Sequence, residues 1–197
     1  MLKKHLWILV LVPALVFSGC AKPPEQEISQ ADEAMQAAMA SQAEIYAPTE
    51  DAMAKDAMSK AKAEVETQNA KFVLFRSYSE AKTLFAAAID ASNKSKETAI
   101  VNKEAVKNEA MTLIAEAKTA VEGAGKALRT APRGKGSKAD LDAMSADLQS
   151  LNAMLPELDS AMAGEMFMDA KNKAMSVKEK AMQIQADVEA AKAKRKK

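Results

Sequence analysis

Small and apolar residues recur at alternating steps of three and four along most of the chain. This is the spacing of a helix face that packs against another helix. The clearest examples are Leu141, Met144, Leu148, Leu151, Leu155, Leu158 and Met162, and then Ala170, Ala174, Val177, Ala181, Ile184, Val188 and Ala191. We therefore predict coiled-coil-like helices over residues 138–191, bent or divided at Pro156 and Gly164.

The N-terminal half predicts two further helices. The first spans about residues 29–46 and carries Ile28, Ala31, Met35, Ala38, Gln42 and Ile45 on its apolar face. Pro48 is expected to end this helix and to open the second one, with Thr49 as the cap of its first turn. The apolar face of the second helix continues through Ala54, Met58, Ala61, Val65, Gln68 and Phe72.

Residues 71–78 read KFVLFRSY and form the one aromatic and β-branched cluster after residue 25. Two interpretations are open: a hydrophobic corner between two antiparallel helices, or a helical segment buried on all sides. We favour the corner. After it, Tyr78, Ala81, Phe85 and Ala88 share one helix face, where small residues allow a partner helix to approach closely.

The segment from Ser77 to Gly123 contains no proline and no internal glycine, so one long helix over residues 77–122 is permitted. The competing interpretation is a break near Asn93, where polar residues interrupt the apolar face. The segment TAPRGKGS at residues 130–137 predicts a loop. Together these elements predict an all-α fold, namely an elongated antiparallel helical bundle with coiled-coil-like packing and long helices.

The first twenty residues have the organisation of a secretion signal. Lys3 and Lys4 precede about a dozen apolar residues, a length typical of a signal peptide rather than of a membrane span. The following segment VFSGC, which ends at Cys20, resembles a bacterial lipobox, although Phe17 departs from its usual aliphatic residue. The resemblance implies cleavage before Cys20 and acylation of its thiol. The alternatives are an uncleaved transmembrane anchor or an ordinary secretory signal.

This interpretation gives a predicted organisation of the whole chain. Residues 1–19 are the lipoprotein signal peptide, 20–28 a lipidated tether, and 29–130 a helical hairpin with the long helix. Residues 131–137 form the loop, 138–191 the coiled-coil-like helices, and 192–197 a basic tail.

Loss of the signal peptide removes much of the available side-chain chemistry. His5 is the only histidine and Trp7 the only tryptophan, while Cys20 is the only cysteine. The mature chain would have no histidine and no free thiol, which excludes disulfides, ordinary zinc sites and Cys or His nucleophiles. No glycine-rich phosphate loop is present either. We expect a protein that is not an enzyme and needs no metal or cofactor.

Charge and methionine content add little evidence for a ligand. The chain has 28 basic and 27 acidic residues, and this even balance predicts no nucleic-acid partner. Thioethers bind monovalent copper, but we expect most of the 13 methionines to fill the helix seams. The exception is the basic tail, where Lys192, Lys194, Arg195, Lys196 and Lys197 are candidates for contact with an anionic polymer. A solvated helix end is the simpler interpretation of this tail.

Three short segments resemble an uncharacterised family of small Ala-rich helical bacterial envelope lipoproteins: ADEA at residues 31–34, YAPTE at 46–50 and YSEA at 78–81. The resemblance covers roughly residues 20–95 and implies a helical hairpin behind a lipid anchor. Relatives tend to have a glycine-containing turn where this chain has Phe75-Arg76-Ser77. Some relatives also carry a peptidoglycan-binding module, which this chain lacks. The family therefore implies location and fold but no activity.

The sequence favours a non-enzymatic, lipid-anchored envelope protein that acts as a helical spacer or interaction scaffold. Because no aspartate follows Cys20, we expect it at the outer membrane facing the periplasm. The alternative is a periplasmic binding or chaperone-like protein with a Met-rich apolar groove. The expected partners are the membrane, reached through lipid on Cys20, and an envelope protein or peptidoglycan. The helix seams are equally compatible with a homo-oligomer.

Overall fold

The computed structural model describes residues 22–132 and 138–195, and within these ranges it contains helices and no strand. The helices are α1 (Glu25–Ala40), α2 (Ala43–Tyr46), α3 (Pro48–Ala70), α4 (Ser79–Arg129), α5 (Lys138–Ala163) and α6 (Phe167–Arg195). A 3₁₀ turn, Val73–Phe75, lies between α3 and α4. The predicted all-α class is confirmed.

The described residues form two compact units. The first unit comprises residues 22–39 and 49–95, and the second comprises residues 40–48, 96–132 and 138–195. The helix α4 contributes residues to both units.

In the first unit, α1, α3 and the beginning of α4 pack through small side chains. Ala31, Ala61 and Ala88 have no exposed surface, and Phe85 is the large side chain that fills the space among them. Alanine allows backbones to approach closely, and Met58 is a second large side chain that is buried in this core. The Lys62 Nζ atom donates to Asp32 Oδ1 at 3.0 Å, which fixes α1 antiparallel to α3.

In the second unit, the predicted 3-4 face is buried along most of α6, whereas along α5 only Leu151 and Leu158 are buried and the other positions of the series are half-buried. Ala170, Ala174, Val177 and Ala181 of α6 are fully buried, and Leu151 and Leu158 of α5 face them in the same core. The matching face of α4 consists of Ala110, Ile114, Ala117, Val121 and Ala124. The helix α5 runs antiparallel to α4, and Lys118 donates to Asp159 Oδ1 at 3.0 Å between them.

A ladder of polar contacts with seven-residue spacing joins α4 to α6. Lys171 pairs with Glu109, Lys178 with Glu116 at 2.7 Å, and Lys192 with the Thr130 hydroxyl at 3.1 Å. Each of these pairs spans 62 residues of sequence, so the two helices run parallel in one register. The same register places the Gln185 side chain against Gly123, where it donates to the carbonyl oxygen of Ala120 at 2.9 Å.

The predicted helix over 29–46 is wrong at both ends. It begins at Glu25, because Pro23 and Pro24 precede the first turn, where the missing N–H groups of prolines are tolerated. It ends at Ala40, because Gln42 adopts a left-handed conformation with φ of 58°. Ile45 is therefore exposed, whereas Ala43 and Tyr46 are buried.

The second predicted helix is confirmed and opens at Pro48 as expected, but its cap and its C-terminal end differ from the prediction. The helix α3 already includes Pro48, so Thr49 lies inside the first turn and is not its cap. Ala54, Met58, Ala61 and Gln68 are buried as the spacing predicts. The series fails at Phe72, which lies beyond the end of α3 and is exposed.

The helix α4 has no break at Asn93. Ser92 and Ser95 are buried, and the Ser92 hydroxyl donates back to the carbonyl oxygen of Ala88 at 2.8 Å. The bond to the carbonyl four residues earlier satisfies the Ser92 hydroxyl within the helix, so burial of this small polar side chain does not require a break. Gly123 and Gly125 also lie within α4, which continues to Arg129.

Of the two expected breaks near the C-terminus, one is confirmed. Pro156 lies inside α5, which continues past it to Ala163. The division falls after Gly164, at Glu165, which has φ of 56°. The Met166 amide donates to the carbonyl oxygen of Ala161 and the Glu165 amide to that of Met162, which is the Schellman pattern of a helix C-terminus.

The methionines do not mainly fill the core. Of those described, Met58 is buried, and Met35, Met144, Met154 and Met162 are half-buried against the two cores, whereas Met39, Met53, Met111, Met166, Met175 and Met182 are exposed. Many of the fully buried core positions are taken by alanine. Methionine is a good helix former, so it is tolerated at these outward positions.

Candidate functional site: the apolar turn between α3 and α4

The most exposed apolar cluster of the first unit is the turn that joins α3 to α4. Phe72, Leu74 and Phe75 expose 66%, 74% and 75% of their surface, and Val73 is also exposed. We call residues 72–75 the apolar turn. The predicted corner is confirmed, but its side chains point to solvent rather than into a core. Contiguous exposed apolar surface on a folded protein is typical of an interaction site.

The backbone of the apolar turn is held in a defined shape. The Phe75 amide donates to the carbonyl oxygen of Phe72 at 2.8 Å and closes the 3₁₀ turn. The rings of these two residues lie with centroids 6.2 Å apart at an angle of 51°. Tilted ring pairs at this separation attract each other weakly, so the two rings form one projecting surface.

Polar side chains on either side of the apolar turn hold the two helices together. The Arg76 guanidinium donates to the carbonyl oxygens of Lys71 and Asn69, at 3.0 and 2.8 Å, and so caps the C-terminus of α3. The buried Tyr78 hydroxyl donates to Asn69 Oδ1 at 2.5 Å. Gln68 Oε1 accepts the Ser77 amide at 3.1 Å. Hydrogen bonds therefore hold the residues on both sides of the exposed apolar turn in place.

The charged residues that directly flank the apolar turn in the sequence are positive. Lys71 precedes it, Arg76 follows it, and the sequence has no acidic residue between Gln68 and Ser79. The exposed Lys71 side chain leaves its charge in solvent. An apolar surface with basic residues at its edge fits a partner that is apolar and carries negative charge at its margin.

The start of α1 lies at the same end of the first unit as the apolar turn. The Lys82 Nζ atom, in the first turn of α4, lies 2.8 Å from Glu27 Oε1, in the first turn of α1. The hydrogen bond from Lys82 holds the pKa of the Glu27 carboxyl below its usual value. Pro24, directly before α1, is buried against the unit, so the chain enters the fold at this end.

The site residues that the sequence predicted lie elsewhere or outside the described ranges. Cys20 precedes the described residues. Lys192 belongs to α6, where its Nζ atom contacts both Glu189 at 2.7 Å and Thr130 at 3.1 Å. Residues 192–195 are thus the end of a helix and not a separate tail. The side chains of Lys194 and Arg195, and all of Lys196 and Lys197, are outside what the structure describes.

A surface groove of about 570 Å³ lies between α4 and α5 in the second unit. Its lining combines charged and apolar side chains and includes Lys118, Glu122, Lys126, Arg129, Val121, Leu148 and Leu155, with no methionine. The composition of this lining therefore differs from the Met-rich apolar groove of the alternative function.

Across residues 22–132 and 138–195, no three side chains of the His, Cys, Asp or Glu type come together as a metal site. No helix in the same ranges has the length and apolar character needed to cross a bilayer.

The sequence identified the corner at residues 71–78 but not its exposure. Phe72 fits the seam spacing of α3, so the pattern alone assigns it to the core. The signal that favoured exposure was one basic residue at each edge of the turn, Lys71 and Arg76, because burying the corner would remove these charges from water.

Comparison of the chain with family models, with curated proteins and with solved structures found no match in any of the three.

Proposed function

We propose that this chain is a non-enzymatic, lipid-anchored protein of the bacterial cell envelope, whose helices form a spacer or interaction scaffold. One observation carries the proposal: the segment VFSGC follows a basic and apolar N-terminus and ends at the only cysteine. Cleavage there leaves a thiol that can carry acyl chains. The absence of aspartate after Cys20 favours the outer membrane, with the helices facing the periplasm.

The short distance between Cys20 and the fold supports an anchor of this kind. The helix α1 begins at Glu25, and Pro23 and Pro24 stiffen the connection before it. A lipid on Cys20 would hold the first unit next to the membrane, rather than at the end of a long flexible linker.

The scaffold role is supported by the way the second unit is built. The ladder between α4 and α6 fixes one register with three polar pairs, and the alanine seams bury a narrow core between helices. Such packing yields long, rigid, charged faces, which suit contact with other envelope proteins or with peptidoglycan.

Membrane fractionation of bacteria that make the full chain tests the anchor. We expect the chain in the membrane fraction and the Cys20→Ala variant either released or unprocessed, because the anchor contributes about 0.8 kcal/mol per buried CH₂. Ser18→Ala is the matched control, since it changes the same segment and retains the cysteine. A processed Cys20→Ala chain that still sediments with membranes would contradict the proposal.

Crosslinking in living cells tests the scaffold role. We expect adducts between lysines of α4 to α6 and envelope proteins or peptidoglycan. Adducts formed only between copies of this chain would instead make it a self-assembling spacer.

A further inference from the structure

We propose that the apolar turn inserts into the interfacial layer of the same bilayer that holds the acyl chains of Cys20. The protein would then contact its membrane at two points. One is formed by the acyl chains bonded to Cys20, and the other by the side chains of Phe72, Val73, Leu74 and Phe75. The inference rests on the proposed anchor and adds to it an orientation of the first unit against the membrane.

The position of the chain entry supports this contact. The Glu27–Lys82 pair places the first turn of α1 beside the first turn of α4, and the Asp32–Lys62 pair places α1 antiparallel to α3. Both relationships bring the N-terminal end of α1 to the level where α3 ends and the apolar turn begins. The buried Pro24 lies four positions after Cys20, and an extended chain of four steps spans at most about 14 Å.

The chemistry of the apolar turn suits the boundary between headgroups and acyl chains. Phenylalanine and leucine gain from leaving water, and basic side chains at the edge keep their charge at the headgroups while their stems lie along apolar surface. The exposed Lys71 occupies such an edge position, while Arg76 on the other side of the turn keeps its guanidinium on the carbonyl oxygens of Lys71 and Asn69. The Phe75 amide already has its acceptor within the turn, so shallow insertion leaves that donor satisfied.

A bilayer is favoured over a second protein because the anchor brings it to the turn. An anchor that reaches at most about 14 Å from Pro24 makes contact with the bilayer intramolecular for this end of the unit, at an effective concentration far above that of a freely diffusing partner. A second copy of the chain has no such constraint in the structure. Self-association through the turn is therefore an outcome that the experiment must separate from insertion.

The test uses the chain from Cys20 to Lys197, which contains every residue that the structure describes. Its single thiol is attached to a maleimide lipid in vesicles of phosphatidylethanolamine and phosphatidylglycerol, so the measurement does not depend on acylation by the cell. The only tryptophan, Trp7, is absent from this shortened chain. A Phe75→Trp substitution therefore introduces its single indole. Brominated phosphatidylcholine in the vesicles then quenches the indole if it enters the acyl region.

Met53→Trp is the matched control. Met53 exposes 60% of its surface, lies in the same unit, and stands 17 residues before the end of α3, which is about 25 Å along the helix. Circular dichroism of both variants checks that the helical fold is retained.

We expect the Phe75→Trp indole to shift to shorter wavelength on attachment and to lose roughly half its emission to bromine, as for a side chain about 5–10 Å into the interface. The Met53→Trp indole should keep the spectrum it has in solution. Adding Phe72→Ser and Leu74→Ser to Phe75→Trp should reduce the quenching.

Two results would overturn the proposal. The first is equal and negligible quenching of both indoles on vesicles that demonstrably carry the protein. The second is a blue shift that grows with protein density on the vesicle without bromine quenching, which would assign the turn to contact between copies. Failure of the proposed anchor has a different signature, namely an unmodified Cys20 in protein from cells, and it leaves the vesicle result unchanged.

Discussion

The Oε1 atom of Glu27 lies 2.8 Å from the Nζ atom of Lys82, and this pair joins the first turns of α1 and α4. The two residues are far apart in sequence, and their pairing shows that the chain enters the first unit where α4 begins. The apolar turn immediately precedes α4. The relationship therefore connects the proposed anchor to the one exposed aromatic surface of this unit.

This pair predicts a pH-dependent contribution to stability. Because Lys82 lowers the pKa of Glu27 in the folded state, ionised Glu27 stabilises the fold above its unfolded-state pKa. That contribution is lost as the pH falls through the lowered folded-state pKa. Lys82→Gln should raise the titration midpoint of Glu27 in carboxyl NMR and destabilise the protein at neutral pH but not in strong acid. Lys60→Gln, which breaks the exposed pair with Asp56, should leave the Glu27 midpoint in place.

Two phenylalanines ten residues apart should respond oppositely to truncation. Phe85 is fully buried, so Phe85→Ala should lower the free energy of unfolding by about 3–5 kcal/mol. Phe75 is 75% exposed, so Phe75→Ala should change it by less than about 0.5 kcal/mol. Urea unfolding followed by circular dichroism measures both values. A large loss from Phe75→Ala would show that the turn is packed rather than exposed.

The cap provided by Arg76 should be measurable in the same assay. Arg76→Ala removes hydrogen bonds to the carbonyl oxygens of Lys71 and Asn69. Because these bonds are partly open to solvent, we expect a loss of about 1 kcal/mol. Lys71→Ala is the control, since it retains the carbonyl acceptor and should change stability by less than about 0.5 kcal/mol. Equal effects of the two variants would argue against the cap.

Gly123 and Gly125 offer a test of the α4–α6 register. A Cβ atom at Gly125 would meet only ordinary contacts, the nearest at 3.6 Å from Leu148, so Gly125→Ala should add about 1 kcal/mol through helix propensity. A Cβ atom at Gly123 would lie 2.9 Å from Gln185 Nε2 and displace the amide from Ala120. Losing that hydrogen bond costs about 1 kcal/mol, so Gly123→Ala should be nearly neutral.

Adding Gln185→Ala should restore the benefit of alanine at position 123, because the displaced amide is then absent. Urea unfolding of the single and double variants measures this interaction. Equal stabilisation by Gly123→Ala and Gly125→Ala without the second substitution would contradict the register.

The elements that the sequence predicted correctly are those whose information is local. The 3-4 series of α5 and α6 specifies a face that turns toward the core whatever its partner, and the structure buries most of it in α6 and part of it in α5. The corner at residues 71–78 was recognisable because aromatic and β-branched residues interrupt a helix-forming sequence. The seven-residue ladder was not recognisable, since its 62-residue offset depends on how α5 returns the chain.

The errors also have physical causes. The 3-4 spacing continues through Gln42 to Ile45, so nothing local marks the left-handed residue that ends α1. A contact with a residue far away in the sequence also acts here: Asn102 donates to the carbonyl oxygen of Tyr46 at 2.7 Å. The local pattern does not contain this information. Phe72 likewise fits the α3 seam, but α3 ends two residues earlier, where Arg76 bonds its last carbonyl groups.

The anchor at Cys20 is tested most directly by the intact mass of the protein extracted with detergent from bacterial membranes. We predict a chain that has lost residues 1–19 and gained acyl-bearing groups on residue 20, with no such species from the Cys20→Ala variant. A mass that retains residues 1–19, or a processed chain whose only cysteine still reacts as a free thiol, would contradict the lipid anchor.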